Sequence, residues 1–259
     1  MRGYREVNSF NFGGVGLMKY ACRVAIVATV ASLLSGCYAL QKSDSYYGVS
    51  TANQNVVFLL DRSGSMEGKD EGATGAAVQT QVLNKSAEAV QRNMGGALGG
   101  LLANQLRSEG SKMGAAKRAL IPAVRGLQAP SRYAVVTFGG QVDTWHGQMV
   151  PAMATQQNMD MVRINQVSAS GGTPMMTALE RAFQYPDATA IFLLTDGQPT
   201  DSSNAAILAK VATLNRTRSV AIYTIGFGQD KDSVFLQRLA QENGGQYIDQ
   251  TNAGNWFPF

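Results

Sequence analysis

Asp61-Arg62-Ser63-Gly64-Ser65 sets a carboxylate and two hydroxyls at alternate positions within five residues. All three are hard oxygen donors. A compact loop can turn them onto one point, and Gly64 eases that turn because it carries no Cβ. Such donors suit Mg2+, which takes octahedral oxygen coordination at about 2.1 Å and keeps water-filled positions. Taken alone, the run has a second reading, an aspartate N-cap followed by exposed serines. Two further segments offer the same kind of donor. Phe192-Leu-Leu-Thr-Asp196-Gly197 is an apolar run ending in an aspartate, as Phe58-Leu-Leu-Asp61 is, and Ser170-Gly-Gly-Thr173-Pro174 is a glycine-rich turn with a hydroxyl on its last loop residue.

The elements that must position these residues alternate in type. Residues 55–60, 133–138, 190–195 and 219–226 are short apolar runs rich in β-formers, which predicts strands buried on both faces. A weaker strand over 142–150 pairs with 133–138 as a hairpin. Helical patterns fill 112–127, 156–167, 174–184, 201–216 and 232–243, with Pro174 suited to a first helical turn and Asp201 and Asp232 to helix starts. Strands alternating with helices of this length predict an α/β fold: a doubly wound, mostly parallel sheet, helices on both faces, one antiparallel edge strand. Between Met66 and Ser111 the pattern loosens into Gly- and Ala-rich sequence containing Met94-Gly-Gly-Ala-Leu-Gly-Gly100. This is expected to be an insertion with helices over 76–92 and 97–106.

The three donor segments, in this order and each at the end of its element, resemble the von Willebrand factor type A domain across 55–248. The resemblance implies a three-layer, Rossmann-like sandwich with a metal-ion-dependent adhesion site (MIDAS) of five residues. Ser63 and Ser65 would bind Mg2+, or Mn2+, directly. Thr173 would bind directly or through water, and Asp61 and Asp196 mainly through water and hydrogen bonds. Their strands would lie side by side at the point where the strand order reverses, where open α/β sheets bind ligands. The implied function is binding of a protein partner that supplies a carboxylate to the metal, in adhesion or envelope assembly. The alternative is a structural domain whose partner surface is the 66–111 insertion. Arg62 is the only basic residue expected near the ion.

Enzymatic readings find little support. A serine nucleophile needs a base, and the single histidine, His146, falls in Asp143-Thr-Trp-His146, expected to be a solvent-facing hairpin. No Gly-x-Ser-x-Gly, P-loop or dinucleotide fingerprint is present. The formal charge of +4 does not indicate nucleic-acid binding. Arg2, Arg5, Lys19 and Arg23 against Glu6 place most of the excess in the first 36 residues.

That N-terminal segment reads as an address. Lys19 and Arg23 precede an apolar stretch over 24–34, too short for a permanent span but suited to a secretory signal, with Met18 an alternative start. Leu34-Ser35-Gly36-Cys37 resembles the lipobox of bacterial lipoproteins. The resemblance implies cleavage before Cys37 and lipid on its thiol, hence a membrane anchor at the bacterial cell envelope. With Tyr38 rather than Asp following, it implies the outer membrane. Residues 37–54 read as a tether, 55–250 as the domain, and 251–259 as an aromatic tail containing Asn255-Trp-Phe-Pro-Phe259.

Overall fold

The computed structural model describes residues 45–68, 85–92 and 111–250. The signal segment, Cys37, the aromatic tail and most of the insertion lie outside these residues. Ser45–Tyr46 (β1) and Val49–Ser50 (β2) form an antiparallel hairpin turned by Tyr47 and Gly48, both at positive φ. Tyr46 reaches the core, with its ring 5.9 Å from Phe58 and 5.0 Å from Phe192. The packed domain therefore begins at Ser45, within the stretch expected to be a tether, because a buried aromatic ring there has more to gain from the core than from water.

Val56–Asp61 (β3) is buried at all six positions and lies at the centre of the main sheet. Arg132–Phe138 (β4) pairs with it in parallel on one side. Val142–Thr144 (β5) and Val150–Pro151 (β6) run antiparallel against β4 at that edge. On the other side β3 pairs in parallel with Ala190–Thr195 (β7), followed by Ala221–Gly226 (β8) and Tyr247–Asp249 (β9). The order β5-β4-β3-β7-β8-β9 is the doubly wound one, reversing between β3 and β7. The expected single strand over 142–150 is interrupted where Trp145 and His146 leave the ladder. The Arg163 guanidinium covers the Trp145 ring at 4.4 Å, and His146 turns inward.

Alternate residues of β3 feed two cores. Val56, Phe58 and Leu60 pack with Lys112–Gly126 (α1) and Ala154–Gln166 (α2). Val57 and Leu59 pack with Met175–Phe183 (α3), Asn204–Asn215 (α4) and Ser233–Glu242 (α5). In α3 the buried set Met175, Ala178, Leu179, Ala182 and Phe183 follows the helical spacing that makes one apolar stripe. Burying a Leu or Phe side chain in such layers contributes about 1.5–3 kcal/mol, which fixes the sheet without disulfides. Ser203 caps α4 and Asp232 caps α5. Asp201 instead accepts N–H bonds from Met176 and Thr177 at 3.1 and 2.9 Å, capping α3 from outside the helix. Among the described residues no helix is long and apolar enough to cross a membrane.

The insertion is narrower than 66–111. Met66 is fully buried in the core, and Ser111 caps α1 by accepting from the Gly114 N–H at 3.1 Å. Lys112 N–H donates to the Gly68 carbonyl at 3.0 Å, so the chain departs after Gly68 and returns within one hydrogen bond of its exit. Within the insertion, residues 85–92 are helical.

Candidate metal centre

Parallel strands deliver their following loops to one edge of the sheet, and three of those loops are bound to one another there. The Arg62 N–H donates to the Phe138 carbonyl (2.7 Å), the Ser170 N–H to Arg62 (2.6 Å) and the Gly64 N–H to Gly171 (2.9 Å). Gly171 sits at φ +79°, and a Cβ there would stand 2.2 Å from the Gly140 nitrogen, so the turn requires glycine. Arg62 reinforces the join, donating to Ser170 Oγ at 3.1 Å and Asp143 Oδ2 at 2.9 Å.

Inside this frame the five expected residues converge. Asp61 is fully buried; its Oδ1 accepts the Ser63 N–H (2.8 Å) and its Oδ2 the Thr195 hydroxyl (2.5 Å). Ser63 Oγ lies 3.0 Å from Ser65 Oγ, which donates to Asp196 Oδ1 at 2.9 Å. Thr173 is buried and pinned by Thr200, whose Oγ1 accepts the Thr173 N–H (2.8 Å) and whose own N–H donates to the Thr173 carbonyl (2.9 Å). A methyl group built on Gly197 would stand 3.5 Å from Thr173 Oγ1 and 3.6 Å from Ser65 Oγ, so these two hydroxyls face the same opening. Ser63 occupies the N-cap position of the short 3-10 helix Gly64–Glu67, yet its side chain makes no cap bond and the residue is buried. The reading as an aspartate N-cap with exposed serines holds only in part: Ser65 is exposed, whereas Ser63 is buried beside Asp61.

Burial pushes the Asp61 carboxyl up to about 6, against bonds from Ser63 and Thr195 that pull it down, with the charge of Asp196 adding to the rise. The main cause is loss of hydration, which disfavours the charged form of a buried carboxyl. Among the described residues no group of three or more His, Cys, Asp or Glu is placed to hold a metal. The donor set is two carboxylates and three hydroxyls, which fits a hard divalent cation such as Mg2+ or Mn2+.

Four neighbours, Thr195, Thr200, Lys112 and Asp230, carry no sign of the site in the sequence. Thr195 adds a hydroxyl to Asp61. Lys112, not Arg62 alone, brings positive charge: its Nζ donates to Asp196 Oδ2 at 2.8 Å and to Asp230 Oδ1 at 2.9 Å. Its partners lie 84 and 118 positions away along the chain, so no local pattern marks the lysine. His146 is not solvent-facing. Its side chain is 10% exposed, with Nε2 3.3 Å from Asp160 Oδ2, the same oxygen that accepts the Tyr133 hydroxyl at 2.6 Å. Burial lowers its pKa, outweighing the pull of Asp160, and Arg163 adds to the fall. Tyr133 begins β4 while Phe138 at its other end meets Arg62, so His146 stands at the end of the sheet opposite the serines.

An open α/β sheet with this loop frame defines a class of ligand-binding domains, and comparison with known proteins names it. Residues 103–249 match the family model for the von Willebrand factor type A domain, more than half of the chain, and the chain belongs to that family. It is 31% identical over 153 residues to inter-alpha-trypsin inhibitor heavy chain H1 of Mesocricetus auratus, a match covering 53% of this chain and 16% of that protein. The chain thus spans about a sixth of that relative's length. Among solved structures, a von Willebrand factor type A protein from Catenulispora acidiphila superposes with a TM-score of 0.54 at 22% identity, over 76% of this chain and 38% of that one. An aerotolerance-related membrane protein from Bacteroides fragilis gives 0.51 at 15% identity, over 76% and 90%. At these identities the structural likenesses show the fold.

Proposed function

We propose that this chain is a lipid-anchored envelope domain that binds a protein partner through a divalent cation at the MIDAS residues Asp61, Ser63, Ser65, Thr173 and Asp196. The observation that carries the reading is the convergence of these five oxygen-bearing side chains on one edge of the sheet, in three loops fastened by backbone bonds. Membership in a family whose domains mediate protein–protein interactions supports it. Mg2+, or Mn2+, would supply an electrophilic centre for an acidic side chain of the partner. Ser63, Ser65 and Thr173 present hydroxyls toward the opening, and Asp61 and Asp196 hold them in place through Ser63 N–H and Ser65 Oγ. Function here is binding rather than catalysis, since the histidine that a serine nucleophile would use is engaged elsewhere.

Calorimetry on the domain from Cys37 onward, with Mg2+ and Mn2+, tests the site. Asp61→Ala abolishes uptake while circular dichroism stays native. Thr173→Ala weakens capture of envelope partners more than it weakens uptake of the bare ion, and chelator abolishes capture. Unchanged ion affinity in Asp61→Ala would refute the assignment. For the anchor, Cys37→Ser shifts the protein out of the membrane fraction or leaves it uncleaved; normal processing and retention would count against lipid at Cys37. A second binding surface is favoured by one observation: the insertion leaves and re-enters beside the site, at Gly68 and Lys112.

A further inference from the structure

Lys112 stands where a lysine is costly. It opens α1, whose first turn carries no acidic residue, and the N-terminus of a helix disfavours positive charge. It is also buried, with its side chain 8% exposed. Two short bonds hold the ammonium there, to Asp196 Oδ2 at 2.8 Å and to Asp230 Oδ1 at 2.9 Å. A cation kept in such a place has a partner that requires it, and that partner is Asp196, whose side chain has no exposure. Asp196 divides its oxygens, Oδ2 to Lys112 and Oδ1 to Ser65 Oγ. Asp230 is 72% exposed and screened by water, so it balances the lysine only in part.

We propose that Lys112 is a resident counter-cation of the metal centre: by holding Asp196 through one oxygen, it loosens the bare ion and leaves the ion-loaded site in need of an anion. The inference rests on the metal reading above. With both aspartates ionised, Asp61 and Asp196 balance a divalent ion by themselves. The ammonium adds one positive charge, which an incoming carboxylate neutralises. Ion and acidic ligand are thereby linked: each binds better with the other present.

The test uses the domain from Cys37 onward, with Mn2+ affinity measured by calorimetry with and without acetate as the carboxylate probe. In the wild type, acetate raises the apparent Mn2+ affinity. Lys112→Met binds the bare ion about tenfold more tightly, as expected when one positive charge is removed from close by, and loses most of the acetate effect. Asp230→Asn, altered on the exposed side of the lysine, moves both quantities the other way. A purely structural lysine would weaken ion binding in both variants. Lys112→Met that is folded by circular dichroism and binds the ion no more tightly than wild type overturns the inference. If that variant does not fold, Asp230→Asn decides through the acetate effect: weaker ion binding with an enlarged acetate effect supports the inference, and an acetate effect no larger than in the wild type overturns it. A wild type that takes up neither Mg2+ nor Mn2+ removes the metal reading itself, and this inference falls with it.

Discussion

Asp61 is a fully buried carboxyl whose ionisation the fold disfavours. Its carboxyl, raised to about 6 by burial, binds a proton more firmly in the folded chain than in the unfolded one, where 3.8 is normal. Stability from this group is therefore fully present below about pH 4 and is lost as pH rises through about 6. In chelator, Asp61→Asn should stabilise the domain at pH 7.5 by on the order of 1–3 kcal/mol and by about a third of that at pH 4.5. Urea unfolding at the two pH values measures the difference. A gap between variant and wild type that does not widen with pH would mean that the buried charge is already balanced. The same variant should lose metal uptake, which separates a binding role from a structural one.

At the level of an element, the turn over Ser170–Thr173 joins the loops of the site. Its carbonyls and N–H groups tie the Asp61 loop to the end of β4, and Gly171 fits only because its missing Cβ leaves room for Gly140. Gly171→Ala should cost about 1–3 kcal/mol from the positive φ alone, and more from the backbone clash. The loss should appear in metal affinity as well as in the melting temperature, because Thr173 is displaced with the turn. Gly147, which has nothing within 4 Å of an added Cβ, provides the control: Gly147→Ala should leave both unchanged. Equal behaviour of the two variants would mean that the turn does not position the site.

For the whole molecule, the Gly68–Lys112 bond predicts that the sheet can form without the insertion, although Ala87 and Val90 within it are buried. Replacing residues 69–110 with a short Gly-Ser link should leave a cooperatively folding domain, since Met66 and the α1 residues that complete the core lie outside the deleted stretch. Its melting temperature should stay within about 4 °C of wild type, a shift corresponding to roughly 1–2 kcal/mol, and metal affinity should be retained. Partner capture is the informative readout. Capture that survives deletion places recognition at the metal centre, whereas capture lost with metal uptake intact places it on the insertion. A variant that no longer unfolds cooperatively would show that the insertion belongs to the core.

The strands, the helices and the placement of the five oxygen-bearing residues on one edge of the sheet were legible in the sequence because each is a local pattern: apolar runs of strand length, helical spacing, and polar residues at the ends of those runs. Order along the chain was enough to place Asp61 and Asp196 on neighbouring strands, since doubly wound connections leave few alternatives. Lys112, Thr195, Thr200 and Asp230 were not legible as parts of the site. Their roles depend on pairs separated by 27 to 134 positions, as in Thr173–Thr200 and Asp61–Thr195, which no local pattern encodes. Tyr46 and His146 escaped for the same reason. A lone aromatic in a polar stretch and a lone histidine in a hairpin look solvated until the sheet supplies Phe58 and Phe192 to one and Asp160 and Tyr133 to the other. Sequence determined which groups could do the chemistry; only tertiary packing decided which charges stand beside them, because burial and distance set electrostatic strength and both are properties of the folded chain.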